Sequence, residues 1–305
     1  MRELCYTVPG EKAGITVYSA LRRELSLSAT LTRRCKHQGG IFVNGEPSFT
    51  NRILSAGDVV TVGLESGESG CDLVPETGEV EVLWENDCFL AVNKPAGLLV
   101  HPSHAKYTGT LSNFVSGYLL EREGSGVCHA VNRLDRDTGG VVLFGKSAYA
   151  KSIGTKALTT AEKTYLAVAY GIFPQSSGVI EAPIGRIEEG NMKRAVMESG
   201  QYALTRYEVL GERENVTLLR FRLETGRTHQ IRVHSAFLGH PLMGDGLYGS
   251  AESCALSEKL GISSQLLHAQ SLSFTEPRTG EAVFVEAPIR RKDFSRILQE
   301  FEKKG

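Results

Sequence analysis

Between Ala130 and Phe144 the chain reads Ala-Val-Asn-Arg-Leu-Asp-Arg-Asp-Thr-Gly-Gly-Val-Val-Leu-Phe, which sets one carboxylate, Asp135, among arginines in a charged knot. Thr138, Gly139 and Gly140 then turn the chain into an apolar, β-branched run from Val141 to Phe144. Gly-Gly punctuates and the run after it extends, so a loop carries the carboxylate while a strand anchors it. An isolated Asp in such a turn usually caps its own backbone. Here a guanidinium on either side favours the charged form, which suits a nucleophilic carboxylate. A second cluster lies in Leu223-Glu-Thr-Gly-Arg-Thr-His-Gln-Ile-Arg-Val-His-Ser235. Thr225-Gly226 predicts the end of a strand and the start of a helix running to about Leu238, with Gly239 placed to end it. On that helix Thr228 and Arg232 stand i, i+4 and share a face. Arg227, Arg232 and the helix start then make a corner suited to an anionic substrate. A different chemistry, hydrolysis by paired carboxylates, would use Asp135 with Asp137 or Glu224, although acids so close in sequence commonly arise by chance.

The elements that must position these groups are read from pattern. Lys146 to Leu158 predicts a helix, Glu162 to Tyr170 a strand with period-2 alternation carrying Tyr165, and two further strands cover 202–210 and 216–223. A tyrosine on a strand is by itself a packing residue. Val80 to Trp84 and Cys88 to Val92 read as paired strands, 268–285 as a hairpin, and Phe294, Ile297, Leu298 and Phe301 as the apolar face of a closing helix. A small module precedes them: Val17, Leu21 and Leu25 form one helical stripe, and a second helix around Ser28 to His37 carries Arg33, Arg34, Lys36 and His37. Ile41-Phe42-Val43 then enters an Asn44-Gly45 hairpin turn. The polar, acidic, glycine-rich stretch 65–79 reads as a linker, dividing the chain into 1–64 and 80–305. A chain of 305 residues with 41% hydrophobic content buries a real core. Lys+Arg of 34 against Asp+Glu of 35 gives no global basic field, so nucleic-acid binding has to come from local patches. No apolar run approaches the ~20 residues of a membrane span, and the N-terminus lacks an apolar signal region, which points to the cytoplasm. The six cysteines lie far apart without a C-x-x-C pair. They suggest small buried hydrophobes rather than a disulfide scaffold or a metal site.

Three of these stretches resemble, in order, the motifs of the RluA-type pseudouridine synthases. The first family motif is usually His-Arg-Leu-Asp-x-x-Thr-Ser-Gly, and the chain matches it at Arg133, Leu134, Asp135, Thr138 and Gly140. It departs at Asn132, where the family usually has His, and at Gly139, where it usually has Ser. Lys163-Thr164-Tyr165 matches the second motif, Lys-x-Tyr, and Thr225 to His234 matches the third without a gap. Asn93-Lys94-Pro95-Ala96-Gly97 resembles the segment before the catalytic loop, and the first 64 residues resemble an S4-type RNA-binding domain. The resemblance implies an α+β fold, with a mixed, mostly antiparallel sheet and a central cleft, behind a small S4-like module. It implies conversion of uridine to pseudouridine in ribosomal or transfer RNA by a cofactor-free, metal-free monomer. Asp135 would be the nucleophile, Arg232 its ionic partner and Tyr165 the residue against the base. Arg133, Arg227 and Val233 would bind substrate, Lys94 would meet a phosphate or solvent, and Arg33, Arg34 and Lys36 would bind RNA. A non-catalytic RNA-binding protein on the same scaffold is the alternative, although binding alone needs no buried carboxylate.

Overall fold

A computed structural model describes residues 3–64, 73–103, 107–188 and 192–302. The first module contains β1 (Glu3–Thr7), α1 (Val17–Ser19), a π-helical turn at Ala20–Glu24, α2 (Ala29–His37), β2 (Ile41–Val43), β3 (Glu46–Pro47) and β4 (Val59–Gly63). Among the described residues its strands form an antiparallel sheet in the order β1-β4-β2-β3. Ser28 caps α2 by accepting from Leu31 N–H at 3.1 Å, as a short hydroxyl at a helix start does. Asn44 and Gly45 take φ of 55° and 81°, the left-handed pair that a tight hairpin turn demands. Val17, Leu21, Leu31, Cys35, Val43 and Val60 close a core of their own. Strand β1 had no clear signal, because only Leu4 of its five residues is buried.

The second module is built on strands β5 (Glu81–Glu85), β6 (Phe89–Lys94), β7 (His129–Ala130), β8 (Gly139–Gly145), β9 (Glu162–Tyr170), β10 (Ser177–Glu181), β11 (Ile184–Arg186), β12 (Arg194–Val196), β13 (Leu204–Arg213), β14 (Val216–Leu223), β15 (Leu267–Thr275) and β16 (Ala282–Glu286). Among the described residues ten of them form one sheet along the path β10-β13-β14-β9-β15-β8-β6-β5, with β16 on β15 and β7 on β8, while β11 and β12 pair as a ribbon. One junction is parallel, β15 against β8. The others are antiparallel, so the sheet is mixed and mostly antiparallel, as expected.

Strands β6 and β8 are buried on both faces, which is why they read as unbroken apolar runs. Alternate residues serve opposite layers. Phe89, Ala91, Val141 and Leu143 pack under α4 (Ala148–Ala157), while Leu90, Val92, Val142 and Phe144 pack under α3 (Leu111–Glu123). Helix α5 (Gln230–Phe237) sends Ile231 into the core over β9 and β14. The last two helices are α6 (Ala251–Lys259) and α7 (Lys292–Glu302), and α7 docks through Phe294 and Ile297.

The modules touch. Ala148 and Tyr149 of α4 pack on the first module's core, and Ser152 Oγ donates to the Ser26 carbonyl at 2.6 Å. The expected linker, 65–79, lies partly outside the described residues. In its described part Glu76 is tied to Asn113 of α3, its N–H donating to the Asn113 carbonyl at 3.1 Å. Cys35 and Cys128 are buried as expected, but Cys5 and Cys254 are exposed.

Candidate active site

The Asp135 loop is fixed at both ends by backbone bonds. Asn132 clamps its start to β8, with Oδ1 accepting from Leu143 N–H at 2.7 Å and Nδ2 donating to the Val141 carbonyl at 3.2 Å. The Thr138 N–H closes a turn onto the Asp135 carbonyl at 3.1 Å. Behind the loop, Lys94 Nζ donates to the carbonyls of Pro95, Leu98 and Arg136 at 2.9, 2.7 and 2.8 Å. Burial pulls this amine down to about 7, against the attraction of Asp137 and Asp135. Three carbonyls, each taking one N–H, is nevertheless the geometry of an ammonium. The expected phosphate contact of Lys94 is therefore corrected: the side chain is 1% exposed and clasps the loop from inside.

The two glycines that open β8 lie close under β15, which forces the second and crowds the first. Gly140 sits at φ 113°, and a Cβ there would lie 2.1 Å from the Ala269 carbonyl oxygen. At Gly139 a Cβ would stand 3.2 Å from His268 Nδ1 and from the Lys94 carbonyl. The departure at Gly139 thus fits a tight neighbourhood, and that at Asn132 supplies a backbone clamp.

Helix α5 begins later than its pattern predicts. The Gln230 amide gathers the preceding turn: its Oε1 accepts from Thr225 Oγ1 and Arg227 N–H at 2.9 Å each, while its Nε2 donates to the Leu204 carbonyl at 3.0 Å. His229 takes a left-handed φ of 58° at the cap. Thr228 consequently lies before the helix and does not share a face with Arg232. One turn further on, His234 Nδ1 meets Thr205 Oγ1 at 2.8 Å and its Nε2 meets the Ala182 carbonyl at 2.9 Å, pinning α5 to β13.

Arg232 is brought to Asp135 across 97 positions of sequence, Nη1 to Oδ2 at 3.1 Å. Its other edge grips Asp245, Nε to Oδ2 at 2.7 Å and Nη2 to Oδ1 at 2.8 Å. Such bidentate pairing fixes the plane of a guanidinium. The Tyr248 ring, 5.1 Å from the guanidinium carbon, covers one face. Burial works against the cation, but Asp245 and then Asp135 outweigh it and hold its pKa above the ordinary value. His229 completes the cluster, with Nε2 3.8 Å from Asp135 Oδ1 and Nδ1 2.8 Å from Tyr248 Oη. Burial, helped by Arg232 and Arg194, pushes its pKa down against the pull of Asp135, so the ring is neutral near pH 7.

Tyr165 faces the carboxylate from β9, and Arg133, Leu134, Leu223, Ile231 and Leu267 line the same cleft. Strands β8 and β9 flank β15, so loop and tyrosine meet over the middle of the sheet. Burial and then the charge of Asp135 push the Tyr165 pKa up, so the phenol keeps its proton. Val233 is a correction: two residues along the helix from Ile231, it points about 200° away and packs with Ile184, Ala203 and Tyr248. Arg227 lines the exposed side, its Nε donating to the Tyr202 carbonyl at 2.8 Å and Nη1 to Gln201 Oε1 at 3.1 Å. It lines the same cleft as Arg232, with its guanidinium held toward Tyr202 and Gln201. Arg33, Arg34 and Lys36 lie on α2 and do not line the cleft. The carboxylates of the hydrolase reading are engaged elsewhere, Asp137 with Arg136 at 3.0 Å and Glu224 with Arg206 at 2.6 Å. Asp245, His229 and Tyr248 were not assigned to the site from sequence, although His229 lies within the third motif and residues 239–249 continue the family resemblance. The general rule that a buried arginine needs an anion is the further signal for Asp245.

Comparison with known proteins bears on this geometry. Residues 88–237 match the family model for RNA pseudouridylate synthase. The chain is 38% identical over 281 residues to YhcT of Bacillus subtilis, an uncharacterized RNA pseudouridine synthase, covering 90% of each chain. It is 37% identical over 293 residues to ribosomal large subunit pseudouridine synthase D of Neisseria meningitidis serogroup B, covering 93% of this chain and 78% of that one. Among solved structures, human RNA pseudouridylate synthase domain containing 4 superposes with a TM-score of 0.59 at 23% identity, over 73% of this chain and 93% of that one.

Proposed function

The chain belongs to the RNA pseudouridylate synthase family and isomerises uridine in RNA to pseudouridine, and from that premise we propose how its residues divide the work. The reaction breaks the N1–C1′ bond, rotates the uracil and makes a C5–C1′ bond. The C5 proton leaves and N1 gains one, so composition and oxidation state are unchanged. Asp135 acts as the nucleophile, and Arg232, held by Asp245, fixes the carboxylate in place through its Nη1 contact. A stacked uridine cannot offer its glycosidic carbon, so it is flipped out at a cost of a few kcal/mol. Tyr165 supports the extruded uracil by stacking, roughly 1–3 kcal/mol per base. Its raised pKa favours a phenol that donates a hydrogen bond over a phenolate that takes the C5 proton. Arg133, exposed at the mouth, fills the vacated stack, and Arg227 meets the RNA at the rim.

The substrate is ribosomal or transfer RNA in the cytoplasm. The similarity to a ribosomal large subunit pseudouridine synthase makes ribosomal RNA the first to test. The first module serves as an S4-like RNA-binding domain through Arg33, Arg34 and Lys36. The observation that carries this reading is the 3.1 Å contact of Asp135 with a guanidinium anchored from behind by a second carboxylate. Pseudouridine mapping of ribosomal and transfer RNA from cells lacking the gene, complemented by wild type or Asp135→Asn, tests it. Restoration by wild type alone is expected, with RNA binding intact in the variant. Restoration by Asp135→Asn would overturn the assignment.

A further inference from the structure

A groove of about 770 Å³ lies between the two modules, and its lining shares no residue with the cleft. Arg22 and Arg23 on the π-helical turn, Arg34 on α2, and Lys151 and Lys156 on α4 all line it. Leu27, Leu31 and Ala148 form apolar lining, and serine and threonine hydroxyls from both modules complete it. No carboxylate lines the groove among the described residues. The hydrogen bonds made by two of the cations go to neutral groups, Arg22 to the Leu27 carbonyl and Lys156 to Ser26 Oγ. In a chain whose formal net charge is −1, Arg22, Arg23, Lys151 and Lys156, gathered with no carboxylate in the described lining, concentrate a local positive field. His129 on the groove wall responds to it: burial first, then Lys151 and Arg34, push its pKa down to about 4.

We infer that this groove is a second RNA contact, in which the turn and helix of the first module and α4 of the catalytic module jointly grip the phosphate backbone of a segment flanking the target uridine. The inference rests on the proposed RNA substrate and deepens it. Cations with interspersed hydroxyls match phosphate oxygens, which accept from both. The groove also lies near enough to serve the same RNA: His129 precedes Asp135 by six positions, so chain length limits their separation to roughly 20 Å. Contacts of this kind position the nucleic acid and carry no sequence information. The target uridine is then chosen at the cleft, while the groove sets affinity and the angle of approach. The grip is shared, so Ala148, Tyr149 and the Ser152–Ser26 bond hold its two halves in register.

Arg23 and Lys151 are exposed, so Arg23→Gln with Lys151→Gln removes two charges without opening a core. The probe is a fluorescein-labelled RNA hairpin, titrated across about 50 to 200 mM salt against the full chain. Each lost phosphate contact lowers the salt slope by roughly 0.7–0.9, so the double variant should lose roughly 1.6 in slope and roughly 30-fold in affinity near 0.1 M salt. With RNA turnover as readout, the loss appears in KM. Lys259→Gln with Lys292→Gln, neutralising exposed lysines of α6 and α7, should bind as wild type. An unchanged slope with affinity within twofold of wild type overturns the proposal. So does loss of poly-glutamate binding with hairpin binding intact, which would mark an acidic protein partner instead. Failure of the underlying reading looks different: normal hairpin binding by wild type, the double variant weakened, and no pseudouridine formed by any form.

Discussion

Arg232 bridges two carboxylates and is 9% exposed in its side chain, while the Asp245 side chain is fully buried. Replacing Arg232 by Met removes three charge-assisted hydrogen bonds at once. Asp245 is left with the N–H groups of Leu247 and Tyr248, at 3.1 and 3.2 Å, as its remaining donors among the described residues. Stranding a buried charge in this way costs about 3–5 kcal/mol, a large share of a typical stability of about 5–15 kcal/mol. At about 2–4 °C per kcal/mol for a domain of this size, Tm should fall by roughly 10 °C. Removing Asp245 as well, by Arg232→Met with Asp245→Leu, takes away the stranded charge, and an apolar pair of similar volume is often neutral. The double variant should recover most of the lost stability in urea and thermal unfolding, yet form no pseudouridine, because Asp135 has lost its cation. Arg232→Lys should fold better than Arg232→Met and still fail, since one ammonium cannot span both carboxylates with fixed geometry. A cost below about 1 kcal/mol for Arg232→Met, or a double variant no more stable than the single, would refute the reasoning.

Three further outcomes are expected. Lys94→Met should destabilise by about 3 kcal/mol, because it orphans three carbonyls that the buried amine now satisfies; a rise in KM with unchanged urea midpoint would restore the phosphate role. Gly140→Ala should cost several kcal/mol, with a Cβ 2.1 Å from the Ala269 oxygen added to left-handed strain of about 1–3 kcal/mol. Gly139→Ser, with its nearest neighbours at 3.2 Å, should cost about 1 kcal/mol, and equal costs in chemical denaturation would contradict the packing at β15. Burial pushes His101, His229, His234 and His268 below their ordinary 6.5, and His129 to about 4. Between those values the unfolded chain binds protons that the folded chain refuses, so stability falls as pH drops below 6.5 and is indifferent to these groups above it. A Tm series from about pH 7.5 to 5 should slope downward, less steeply in His129→Asn, and a flat series would exclude the effect.

Much of the architecture was legible because local pattern encodes local structure. The period-2 run of Glu162–Tyr170 and the Asn44-Gly45 turn each act over a few residues, and strand and turn stand where the pattern puts them, whereas Gly139 and Gly140, expected in a turn, already belong to β8. The pairing of Asp135 with Arg232 was reached through family resemblance and not through spacing, and the 3.1 Å contact is consistent with it. The start of α5 was misread because the Gln230 amide, bonded to Leu204 and Thr205 far away in sequence, outcompetes a helix start at Thr225.

By itself the sequence determined which residues form strands and turns, where the charged loop sits and which family the motifs belong to, since these depend on neighbours along the chain. Tertiary structure alone decided that Asp245 anchors Arg232, that Lys94 serves its own loop, that Ile231 rather than Val233 faces the cleft, and that five cations from two modules share one groove. Those outcomes depend on which side chains meet once separate elements pack and exclude water, and buried charge must then find its partner wherever the fold has placed one.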